Sequence, residues 1–71
     1  MATSINAHIT GTVWKIEVKV GEAVREGQTV VILESMKMEM PVESAADGKV
    51  TAILVAEGQS VEEGAPLIEI V

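Results

Sequence analysis

The second half of this chain repeats the first. A shift of 37 positions lays Gly11-Thr12-Val13-Trp14-Lys15-Ile16-Glu17-Val18 on Gly48-Lys49-Val50-Thr51-Ala52-Ile53-Leu54-Val55 without a gap. The same shift lays Gly21-Glu22-Ala23-Val24-Arg25-Glu26-Gly27 on Gly58-Gln59-Ser60-Val61-Glu62-Glu63-Gly64, and Val30-Val31-Ile32-Leu33 on Leu67-Ile68-Glu69-Ile70. All six glycines pair with one another, which chance placement would rarely produce. Each copy, roughly residues 5–34 and 42–71, is too short to bury its own apolar face. The duplication therefore predicts one 1–71 domain, with two sheets packed face to face about a pseudo-twofold axis over a shared core. The paired glycines are expected at turns needing positive φ, or where backbones approach closely.

The apolar residues favour strands. Val and Ile together supply 18 residues and Leu only 3, and β-branched side chains suit a pleated sheet better than a helix. Alternation is visible toward the end of Val13–Val20 and in Leu67–Val71. The run Thr29-Val30-Val31-Ile32-Leu33 is apolar enough to predict a strand covered on both faces. Six main strands are expected near 4–9, 12–19, 29–35, 39–44, 49–55 and 67–71, with short extended pieces near 23–25 and 60–62. The expected fold is all-β: a flattened barrel or sandwich of two four-stranded antiparallel sheets.

Charge and residue types narrow the function. Eleven acidic against five basic residues give a formal charge of −6, which a phosphate backbone would repel, and Trp14 alone offers no set of stacking platforms for nucleic acid. With no cysteine and a single histidine, His8, neither a disulfide nor a zinc site is expected. No run approaches the ~18 apolar residues of a membrane span, and the opening MATSINAHIT lacks the pattern of a signal peptide. A cytoplasmic monomer is expected. So short a chain needs most of its apolar residues for packing, and its Ser, Asp and His show no catalytic motif, so it is not expected to be an enzyme.

Between the copies lies residues 35–41, Ser35-Met36-Lys37-Met38-Glu39-Met40-Pro41, the internal stretch without a repeat partner. Met, Glu and Lys favour helix, but Met36, Met38, Met40 and Val42 recur with period two, and Pro41 disfavours helical geometry at Met40. The segment is read as a hairpin with its turn near Met36-Lys37, placed by symmetry because no Asn-Gly or Asp-Gly marks it. Lys37 would then project from one end of the molecule. Met40 is assigned to core filling. Trp14, His8, Lys15, Lys19 and Lys49 are assigned to surface or structural roles.

Glu34-Ser35-Met36-Lys37-Met38-Glu39 resembles the Glu-Ala-Met-Lys-Met signature of biotinyl domains, with Ser35 in place of the usual Ala. Both copies carry Gly-x-Val-x-x-Ile-x-Val-x-x-Gly-x-x-Val-x-x-Gly, which is similar to the frame of the biotinyl/lipoyl fold. The resemblance implies a biotin carrier. Biotin would be joined by an amide to Lys37 by a biotin–protein ligase, and the arm would carry carboxyl groups between biotin carboxylase and carboxyltransferase sites. It also implies recognition roles for Glu34, Ser35, Met36 and Met38. The nearest alternative is a lipoyl carrier on the same lysine, usually set in Asp-Lys-Ala. A second is an unmodified β-sandwich interaction domain.

Overall fold

The computed structural model describes residues 3–71. Among these the chain forms eight strands and no helix: β1 Thr3–Asn6, β2 Gly11–Ile16, β3 Ala23–Val24, β4 Thr29–Ser35, β5 Met38–Glu43, β6 Gly48–Ile53, β7 Ser60–Val61 and β8 Pro66–Ile70. The strands build two four-stranded antiparallel sheets, ordered β1-β8-β6-β3 and β5-β4-β2-β7. The shift of 37 positions carries β2 onto β6 and β3 onto β7 residue for residue. It also carries β4 onto β8 and β1 onto the end of β5, so it exchanges one sheet for the other. The unpartnered junction is thus shorter than the expected 35–41, because Met40 and Pro41 are the structural mates of Thr3 and Ser4 once β1 pairs into the opposite sheet.

The halves interlock. Each repeat supplies the two central strands of one sheet and reaches across to supply edge strands of the other. Side chains of both halves meet in a single cluster, with Val13, Val30 and Leu33 from the first and Val50, Leu67 and Ile70 from the second all essentially sealed from solvent. Burial, not propensity alone, selects these strands, because a sheet with one apolar face is stable only against a second sheet.

The loops repeat as faithfully as the strands. Gly27 N–H donates to the Ser44 carbonyl at 2.8 Å, and its mate Gly64 N–H donates to the Ala7 carbonyl at 2.8 Å. Even where residue types differ, the task is kept. Asp47 Oδ1 accepts from Glu26 N–H at 2.8 Å, and Thr10 Oγ1, at the equivalent place, accepts from Glu63 N–H at 3.3 Å. Gly27 and Gly64 have φ of 86° and 90°, in the left-handed region where an L side chain is strained.

Two expectations need correction. The strands near 12–19 and 49–55 end at Ile16 and Ile53, and the one near 4–9 ends at Asn6. Val18 and Ala7 are nevertheless buried. Alternation reports which side chains face the core, and the chain keeps that facing after it has left the ladder. The second correction concerns 29–33. Val30, Val31 and Leu33 are sealed, but Ile32 lies half-buried between two inward residues and opposite exposed Pro41. It points outward, so this strand is covered on one face only.

Val in place of Gly27 or Gly64 should lower the unfolding free energy by about 1–2 kcal/mol through backbone strain alone. In a domain this small that is a fall of several degrees or more in melting temperature, read by thermal denaturation. An unchanged melting temperature in both variants would contradict the turn geometry.

Candidate functional site: the tip of the β4–β5 hairpin

The longest antiparallel pairing in the molecule runs out to the junction between the repeats. β4 and β5 stay in register through Val31 with Val42, Ile32 with Pro41, Leu33 with Met40, Glu34 with Glu39, and finally Ser35 with Met38. Only Met36 and Lys37 remain to close the hairpin. Both have positive φ, 52° and 66°, among the described residues the only non-glycine positions that do. Two successive left-handed residues form the tight turn whose twist matches that of the flanking strands. Asn-Gly would adopt it without strain, whereas Met and Lys pay roughly 1–2 kcal/mol each. The ladder holds them there. β4 is also paired on its other side, Thr12 with Glu34. At Gly11 the backbone of β2 comes so near that an added Cβ would lie 2.7 Å from the Glu34 carbonyl oxygen.

Side-chain direction follows from this register. Met38, Met40 and Val42 share the inward face, and burial rises along it: Met38 is 61% exposed, Met40 half-buried and Val42 buried. Met40 thus sits at the margin of the core, opposite Leu33. Met36 is 92% exposed. Lys37 is exposed beside it and has no ion pair or hydrogen bond among the described residues. Glu34 is exposed on the outward face directly across from Glu39, and Ser35 is half-buried at the end of β4. The turn therefore falls where symmetry put it, and Lys37, Met36, Met38, Ser35 and Glu34 gather within one hairpin end.

The remaining basic residues differ from Lys37 in setting. Lys15 lies within β2, 3.9 Å from the Glu17 carboxylate, and Lys49 lies within β6. His8 and Trp14 are exposed. The left-handed backbone at Met36 and Lys37 went unsignalled because the residue types that mark such turns are missing. The Glu34–Glu39 juxtaposition follows from a hairpin that turns at Met36-Lys37.

An amine free of partners on a rigid, exposed two-residue turn suits covalent attachment of a prosthetic group by an amide. The family described as biotin-requiring enzyme, the biotin/lipoyl family, matches residues 1–70. The chain belongs to this family. It is 40% identical over 67 residues to the biotin/lipoyl attachment protein of Bacillus subtilis, covering 94% of this chain and 92% of that one. It is 44% identical over 64 residues to the biotin carboxyl carrier protein of acetyl-CoA carboxylase of Solanum lycopersicum, covering 90% and 91%. Among solved structures, the urea carboxylase of Kluyveromyces lactis contains a region that superposes on all of this chain with a TM-score of 0.94 at 39% identity, though the match spans only 6% of that enzyme.

Replacing Met36 by Asn, which tolerates left-handed φ, should raise stability by up to about 1 kcal/mol although it deletes a large side chain. Thermal unfolding reads the gain. A lower melting temperature would show that Met36 contributes packing its exposure denies.

Proposed function

We propose that this chain is a biotin carrier and that Lys37 is its attachment site. The observation that carries the proposal is the exposed, unpartnered Lys37 on a strained two-residue turn at the seam of a duplicated biotinyl fold. Family membership and the carrier proteins it resembles over nearly their whole length support the cofactor. The whole of 1–71 serves as one biotinyl-type domain, monomeric and cytoplasmic, and its role is to be loaded and to deliver.

What the residues do follows from the geometry. A lysine amine is protonated at neutral pH and attacks only after a base removes its proton. The tip of β4–β5 leaves space around Lys37 for a biotin–protein ligase to supply that base and an activated biotinyl acyl group. An amide then forms at Nζ, the acyl–phosphate bond breaks, and the phosphate-bearing group leaves. Met36 and Met38 give the ligase an adaptable apolar surface on either side of the lysine. Glu34 and Ser35 border it and contribute to recognition. Biotin held on Lys37 would supply a group able to carry a carboxyl unit between a carboxylase site and a carboxyltransferase site. The body around the hairpin keeps the tether's origin fixed, which raises the effective concentration of the arm at both sites.

Intact-mass measurement after co-expression with a biotin–protein ligase should show one biotin gained with loss of one water. Lys37→Ala should abolish the gain and leave the unfolding free energy within about 0.5 kcal/mol, as for an exposed side chain. A lipoyl adduct under matched co-expression with a lipoate ligase, and none with the biotin enzyme, would replace biotin by lipoate. An unmodified wild-type chain in both would refute the carrier reading.

A further inference from the structure

The duplication supplies an internal control for the surface. Among the outward-facing positions that recur on the two sheets, three are apolar only on the sheet that bears the hairpin: Trp14 and Thr51 are exposed, Ile32 and Glu69 half-buried, Pro41 and Ser4 exposed, while at Lys15 with Ala52 and Glu34 with Val71 the exchange runs the other way. On the sheet that bears the hairpin these positions hold Trp14, Ile32 and Pro41. On the opposite sheet the same backbone carries Thr51, Glu69 and Ser4. The fold therefore does not require apolar residues there.

Pairing brings the three apolar residues together across adjacent strands. Pro41 on β5 faces Ile32 on β4. Ile32 in turn faces Lys15 on β2, where the register slips by one residue and sets Trp14 beside Lys15. Trp14 is 46% exposed. Between this strip and the lysine lies the Glu34–Glu39 pair on the same strands. At about 3.3 Å per residue along β4, Ile32 is roughly 15 Å from Lys37.

We propose that this outer face of the β5-β4-β2-β7 sheet is the docking surface for the biotin–protein ligase, whose complementary site is an apolar patch rimmed by cationic side chains facing Glu34 and Glu39. The proposal rests on Lys37 being the loaded residue. Size favours the ligase as the occupant. A specific interface takes about 600 Å² or more from each partner, over an eighth of the 4390 Å² this chain exposes. A two-residue turn cannot provide that, so an enzyme enclosing an unextended lysine must also rest on the body beside it. Tryptophan, the residue Trp14 supplies here, is among those that most often carry binding energy at interfaces.

The test gives the hairpin-bearing sheet its mates' residues: Trp14→Thr, Ile32→Glu and Pro41→Ser in one variant. The chain already accommodates those residues on the same backbone in its other half, so folding should survive, and thermal denaturation checks it. With purified ligase, kcat/KM for loading should fall at least about tenfold, chiefly through KM, while long incubation still modifies the folded variant fully. Ser4→Ala with Glu69→Gln, on the opposite face, should load like wild type. Loading of wild type should slow with added salt as the carboxylate contacts are screened. Unchanged kcat/KM in the folded triple variant would overturn the proposal. So would a wild-type dimer in sedimentation that the triple variant abolishes, since the face would then serve self-association. A wild-type chain that takes no biotin at all would instead refute the carrier reading beneath it.

Discussion

Neither half of this chain has an interior of its own. Each repeat lends its central strands to one sheet and edge strands to the other, so the apolar face of one half is covered only when the partner half is in place. Burial in one cluster and pairing across the halves form together, and the rest of the architecture follows. The repeated turns, the matched caps at Asp47 and Thr10 and the left-handed glycines all serve to return each half to the sheet of the other.

An interlocked duplication leaves a short junction between its copies, and here that junction is the tip of the β4–β5 hairpin. β4 and β5 are central and edge strands of one sheet, so their hairpin is anchored by the ladder up to Ser35 and Met38. Beyond that pair the chain has only to turn. The tip is thereby rigid at its base and free at its end, with strain confined to Met36 and Lys37. Both residues are exposed and neither belongs to the buried cluster.

The sequence made the glycine pairs, the strand order of each copy and the position of the lysine legible because they are consequences of symmetry, and symmetry is visible as letters. It was less informative where packing and pairing part company. Val18 and Ala7 keep an inward facing after the ladder has ended, so alternation overstated strand length. An apolar run such as 29–33 does not say which of its members face water, so Ile32 reads in the sequence as buried on both sides of its strand. The apolar strip it forms with Trp14 and Pro41 depends on strand register, which the letters do not carry. Symmetry places the turn at Met36-Lys37 but not its left-handed conformation, since Met-Lys carries none of the Asn or Gly that usually marks it.

The most direct trial of this account is to map the adduct. Proteolysis of the ligase-treated chain followed by tandem mass spectrometry assigns the modified residue. Biotin on Lys37, with Lys15, Lys19 and Lys49 all unmodified, is the expected result. Biotin on any of those three lysines with Lys37 bare would contradict the central claim that the seam of the duplication is the point of attachment.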